Sequence, residues 1–146
     1  SVDVIIGTEE EFFALLDPDP VTIMEGKPVS RAQREALPSF LADLLRSGHG
    51  GRALVVKRGE RGVSVYRSEN DVIHTAGFKV EVLNTVGAGD AFASGLIYGY
   101  LQGWDWERCC QMGNACGALT VTRHGCSAVF PTRSEAIDFI DSHGGF

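Results

Sequence analysis

Asn84-Thr85-Val86-Gly87-Ala88-Gly89-Asp90 is the stretch from which the rest of the chain is read. Two glycines around an alanine hold neither a helix nor a strand, so the backbone turns there. An apolar run follows at once, with Ala91, Phe92, Ala93, Leu96, Ile97, Tyr98, Tyr100 and Leu101, and Asp90 sits where a helix start is expected. A glycine turn opening on a helix N-terminus gathers partnerless N–H groups and the positive end of the helix dipole at one point. That point suits an anion, above all a phosphate. Asp90 adds a carboxylate there, poorly suited to holding an anion but suited to deprotonating a hydroxyl beside one.

On these residues alone two readings stand: a plain turn with a capping aspartate, or an anion site. The dinucleotide fingerprint G-x-G-x-x-G is excluded, because Phe92 fills the third glycine position. No G-x-x-x-x-G-K-[ST] string occurs, which excludes a P-loop.

A length of 146 residues is enough for one domain with a real core. The net charge of −6 leaves no basic face for nucleic acid or an anionic membrane. No apolar run reaches membrane-span length, and no signal peptide is read at the start. The chain opens on Val2-Asp3-Val4-Ile5-Ile6 without Met, as expected of a piece of something longer. Cys109, Cys110, Cys116 and Cys126 form no C-x-x-C pair and read as buried thiols of a reducing cytosol. His49, His74, His124 and His143 lack metal-ligand spacing.

In chain order, Val2–Ile6 reads as a buried strand ended by Gly7, and Thr8 caps a helix whose first turn carries Glu9, Glu10 and Glu11 as solvated acids. Phe12, Phe13, Leu15 and Leu16 form its buried side, and Asp17-Pro18-Asp19-Pro20 stops it. Residues 21–29 read as a loop or short edge strand. Ser30 caps an amphipathic helix to about Arg46, with a break or kink expected at Pro38. Ala53–Lys57 is a second buried strand, Arg58–Gly62 a turn, and Val63 and Val65 alternate in a third. Val72–His74 and Phe78–Val82 read as two more strands. After Asp90, Ala91, Gly95, Gly99 and Gly103 recur every fourth residue, predicting close packing on a sheet or a helix. Asp105 caps a further helix, whose small residues from Met112 to Val121 leave room for a flat ligand or let helices approach. Thr132 caps a last helix through Phe139 and Ile140.

The 84–90 stretch resembles the C-terminal signature D-T-x-G-A-G-D of the ribokinase-like (PfkB) sugar kinases, with Asn84 in place of the leading Asp. The resemblance implies an α/β, three-layer ribokinase-like (Rossmann-like) fold. Residues 1–146 would be its ATP-binding C-terminal portion, the N-terminal sugar-binding and lid portion being absent. Carried over, Gly87, Ala88 and Gly89 form the anion hole and Asp90 is the catalytic base. Lys57, Arg58, Gly59, Glu60, Arg61 and Gly62 border the ATP ribose and base, and Asn114 lies beside the base. Arg58 and Arg61 read equally well as solvated charges. Thr8 and Glu11 fall on the N-x-x-E motif, Thr8 on the nucleotide side and Glu11 organising Mg2+ through water. Asn84, Val86, Thr120, Arg123, Gly125 and Val129 match a loop binding K+ mainly through backbone carbonyls. The implied function is ATP-dependent phosphorylation of a small sugar or sugar acid. The implied setting is cytoplasmic, without nucleic-acid or membrane partners and with a homo-oligomeric full-length protein. The alternatives are another PfkB activity (ribokinase, fructokinase, 2-keto-3-deoxygluconate kinase), a nucleotide-binding module without catalysis, or an inert fragment.

Overall fold

The structure, a computed structural model, describes residues 3–16, 30–47, 52–124 and 130–146. Strand β1 (Val4–Thr8) runs directly into helix α1 (Glu9–Leu16), and helix α2 (Arg31–Arg46) precedes β2 (Ala53–Lys57). A 3-10 turn (Gly59–Arg61) leads to β3 (Val63–Ser68) and β4 (Asp71–Thr75), and then come α3 (Ala88–Leu101), α4 (Trp106–Val121) and α5 (Arg133–Ser142). The strands form one sheet in the order β1-β2-β3-β4. β1 and β2 pair in parallel, Val4 opposite Ala53 and Thr8 opposite Lys57, as helical crossovers produce. Only Glu69 and Asn70 join β3 to β4, a connection that an antiparallel pair alone allows, so the sheet is mixed.

Two compact units are resolved, Ser1–Arg58 with Ser64–Ile73 and Gly59–Val63 with His74–Phe146. In the first, Ala53, Leu54, Val55 and Val56 of β2 are all buried, the run of an inner strand covered on both faces. Leu54 and Val56 pack with Phe12, Phe13, Leu37, Leu41 and Tyr66, each large apolar side chain contributing about 1.5–3 kcal/mol on burial. The Ser30 cap is a full capping box with Gln33, and α2 continues through Pro38 to Arg46 without the expected break. Leu37 and Leu41, buried on either side of that proline, hold the helix against the core. Residues 17–29, which carry the expected helix stop and loop, lie outside the described residues.

The second unit is built on α3 against α4, with Ala91, Met112, Ala115, Cys116, Ala136 and Ile140 at its centre. Glycine makes the approach close. A Cβ on Gly95 would lie 2.7 Å from the Met112 carbonyl, and one on Gly99 3.1 Å from the Cys109 sulfur. Close helix packing is therefore what the four-residue glycine spacing encodes, and the neighbour is a helix rather than the sheet. Ile97, Tyr100 and Leu101 on the other side of α3 remain exposed. The strand expected at Phe78–Val82 is absent. The chain is tied to α4 on either side of that segment: Asn114 Nδ2 donates to the Ala76 carbonyl at 2.9 Å, and the Leu83 and Asn84 amides donate to the Val121 carbonyl. Phe78 instead packs edge-on against Phe139, ring centroids 4.9 Å apart. Of the side chains that alternation expects to be covered, Phe78 and Val80 are partly buried, whereas Val82 is exposed.

Candidate active site

Gly87 takes φ +83°, a left-handed conformation that glycine alone enters without steric cost, and serves as the N-cap of α3. The turn before it is tied by the Asn84 side chain, whose Oδ1 accepts the Val86 amide at 3.1 Å. The Ala88 amide reaches the Thr85 carbonyl at 3.3 Å, and the Ala91 amide makes the first helical bond to Gly87 at 2.9 Å. Among the described residues, the amides of Gly87, Gly89 and Asp90 have no acceptor. Three such groups at the N-terminus of a 14-residue helix form the concentration of positive potential that an anion seeks. Asp90 stands exposed in the first turn, while its backbone carbonyl accepts the Ser94 hydroxyl at 2.8 Å. The turn rests on α4 through Gly113 and Gly117: a Cβ on Gly113 would press within 2.9 Å of the Phe92 ring, and one on Gly117 would meet the Ala88 carbonyl at 3.5 Å.

A second glycine turn lies in the same unit. Gly59 and Gly62 have φ +58° and +86°, and the Gly62 amide closes the turn on the Gly59 carbonyl at 3.0 Å. The Thr75–Gly77 backbone passes so near that a Cβ on Gly62 would lie 2.1 Å from the Thr75 carbonyl. Asn114, buried on α4, holds the middle of that passing segment through Ala76. The structure thus brings Gly59–Gly62, Ala76 and Asn114 into one neighbourhood, with Glu60 and Arg61 exposed on it.

Arg58 is not a solvated charge. It belongs to the first unit, where Nη1 donates to Ser64 at 2.8 Å, Nη2 to the Tyr66 hydroxyl at 3.0 Å, and Nε lies 3.1 Å from Glu9. Glu9, expected to be a solvated acid, is accordingly buried. Thr8 and Glu11 form a reciprocal capping box, the Glu11 carboxylate accepting the Thr8 amide and the Thr8 hydroxyl accepting the Glu11 amide at 3.2 Å.

Of the residues matched to a K+ loop, the structure brings the Asn84–Val86 turn against the end of α4. The Val121 carbonyl accepts the amides of Leu83 at 2.8 Å and Asn84 at 3.2 Å, and Thr120 accepts that of Arg123 at 3.2 Å. Gly125 and Val129 lie outside the described residues. Sequence reading passed over Glu135. Its carboxylate closes a capping box with Thr132 and takes the Arg123 guanidinium at 2.6 Å, bonds that hold it charged down to a pKa of about 2. The T-x-x-E spacing of Thr132 and Glu135 was the available signal. The buried thiols of Cys110 and Cys116 are pushed up to about 12 and about 11 by desolvation, so neither is a nucleophile at neutral pH.

Solved chains with this fold define the class. A ribokinase from Thermotoga maritima aligns over 96% of this chain and 42% of its own, with a TM-score of 0.74 and 26% identity. An E. coli protein provisionally named Ribokinase II, solved in complex with ATP and Mg2+, aligns over 97% of this chain and 40% of its own, with a TM-score of 0.70 and 30% identity. The fold is therefore α/β and ribokinase-like. Residues 1–133 match the pfkB family carbohydrate kinases, and the chain belongs to that family. Curated relatives include the 5-dehydro-2-deoxygluconokinases of Clostridium tetani, 32% identical over 97% of this chain, and of Bacillus subtilis, 30% identical over 96%. This chain spans 39% and 38% of those two relatives' lengths. Among the described residues no helix is long and apolar enough to cross a membrane.

Proposed function

We propose that residues 1–146 are the nucleotide-binding portion of a carbohydrate kinase that transfers the γ-phosphoryl group of ATP to a sugar or sugar-acid hydroxyl. The observation that carries this reading is the Gly87–Asp90 turn, where three amides without acceptors stand beside an exposed carboxylate at a helix N-terminus. The Gly87-Ala88-Gly89 turn forms the anion hole; the Ala88 amide stays on Thr85, and the amides of Gly87, Gly89 and Asp90 stabilise charge on the moving phosphoryl group by about 10²–10³-fold per well-placed donor. Asp90 accepts the proton of the attacking hydroxyl, a role worth roughly 10²–10⁴-fold. The Gly59–Gly62 turn and Asn114 line the nucleotide's ribose and base. Mg2+ keeps most of its shell as water and phosphate oxygen, which suits a site where Glu11 acts through water. When bound it neutralises charge on the phosphates. The carbonyls of Asn84, Val86, Thr120 and Arg123, with Gly125 and Val129, are the K+ set.

The acceptor is 5-dehydro-2-deoxygluconate. Support comes from the curated relatives' names and from three stretches: the Asn-led signature, Asn114-Ala115-Cys116-Gly117-Ala118 and Thr122-Arg123-His124-Gly125-Cys126. Because the chain spans about two fifths of those relatives, nucleotide binding without turnover is the second reading. One pair of measurements separates them: ATP titrated into this chain, and sugar-dependent ADP release assayed with and without Asp90→Asn. Binding with Asp90-dependent release supports the kinase, binding alone supports the module, and release that survives Asp90→Asn removes Asp90 as the base.

A further inference from the structure

A continuous line of polar contacts runs from α5 to the anion turn. Glu135 accepts the Thr132 amide at 2.7 Å and hydroxyl at 2.8 Å on one carboxylate oxygen, and the Arg123 guanidinium at 2.6 Å on the other. One side chain therefore grips both the N-cap of α5 and Arg123, two residues past the end of α4. Arg123 donates its own amide to Thr120, and the intervening Val121 carbonyl carries the amides of Leu83 and Asn84. Asn84 in turn holds the Val86 amide, and Gly87 is next. Every member of this line belongs to the second unit.

We propose that Glu135 is a positioning residue for the Gly87–Asp90 turn: by fixing Arg123 it holds the last turn of α4, so that the Val121 carbonyl stays in reach of Leu83 and Asn84. The catalytic consequence of this placement rests on the kinase reading above, whereas the placement itself does not. Half-exposed ion pairs contribute little to stability, so the value of this one lies in what it orients. The carboxylate is spared the entropy of acting alone because the capping bonds already fix its rotamer.

Amide hydrogen exchange on this chain tests the proposal in wild type, Glu135→Gln, Arg123→Gln and Arg123→Lys. Gln at 135 keeps an acceptor for Thr132 and removes the charge facing Arg123. Leu83 and Asn84 are expected to exchange about threefold to tenfold faster in both Gln variants and within about twofold of wild type in Arg123→Lys. Leu96 and Ala115, in the α3–α4 core, should exchange at the wild-type rate throughout. Unchanged protection at Leu83 and Asn84 in the Gln variants overturns the proposal. So does uniform loss at all four amides, which would make the pair a general prop. ATP titrated into the same wild-type sample reports on the kinase reading separately, since its failure leaves the exchange result standing.

Discussion

Glu9 and Arg58 meet 3.1 Å apart with side chains 9% and 21% exposed, joining the start of α1 to the end of β2 inside the first unit. The Ser64 and Tyr66 hydroxyls take the rest of the guanidinium, so the charge is compensated where water is largely excluded. Removing one partner leaves the other buried without its counter-charge. Glu9→Ala should therefore cost about 2–4 kcal/mol, whereas Glu10→Ala, exposed on the same turn, should stay within about 0.5 kcal/mol. Urea unfolding of the two variants side by side is the check, and equal costs would show that Glu9 is no better buried than its neighbour.

The two positive-φ glycines of the 59–62 turn separate backbone strain from steric overlap. An alanine at Gly59 meets nothing within 4 Å, so it incurs only the left-handed penalty of about 1–2 kcal/mol. At Gly62 the same methyl would lie 2.1 Å from the Thr75 carbonyl and 2.5 Å from the Gly77 amide nitrogen. Both are backbone atoms and cannot swing aside. Gly62→Ala should cost about 2 kcal/mol more than Gly59→Ala, and on the proposed nucleotide site it should weaken ATP binding by shifting the Thr75–Gly77 segment. Denaturation midpoints and an ATP titration measure the two effects.

What the sequence disclosed follows the range of the interaction involved. The caps at Ser30, Asp105 and Thr132 were legible because each is settled within three residues of itself. The β2 run was legible because an inner strand repeats one chemistry, and the Gly87–Asp90 turn because glycine there has a single conformational use. Two readings depended on partners far along the chain and failed for that reason. Glu9 is buried by a residue 49 positions away, and Phe78–Val82 is not a strand but a stretch tied to α4 at its flanks, Ala76, Leu83 and Asn84. At Pro38 the helix runs on unbroken, with Leu37 and Leu41 packed into the core on either side. The choice between a flat ligand and close helices for the small residues of α4 was open in composition alone. Helix contact claims Gly113, against the Phe92 ring, and Cys116, against Gly95.

That contact is itself testable along α3 and α4. A methyl at Gly95 would sit 2.7 Å from the Met112 carbonyl and 2.8 Å from the Cys116 sulfur, forcing the helices apart at a cost of about 1–3 kcal/mol. At Gly117 the nearest atoms are at 3.5 and 3.7 Å, ordinary contact distance. There the helical preference for alanine over glycine should prevail, and Gly117→Ala should stabilise by about 0.5–1 kcal/mol. Opposite signs for the two substitutions in thermal unfolding are the expected result, and destabilisation by both would mean that α4 needs glycine for something besides packing.

Glu135 predicts where acid acts. Its capping bonds to Thr132 and its ion pair with Arg123 lower its pKa to about 2 in the folded chain, while the unfolded carboxyl titrates near its ordinary value of about 4.3. A carboxylate with a depressed folded pKa stabilises fully above its unfolded pKa, and that contribution disappears as pH falls through the folded one. Stability should therefore decline between about pH 4.5 and pH 2, with Glu135 supplying part of the slope. Glu135→Gln has no proton to take up, so the difference in unfolding midpoint between wild type and variant should shrink steadily across that interval. A difference that stays constant from pH 6 to pH 2 would mean that the charge on Glu135 contributes nothing beyond what a neutral cap supplies.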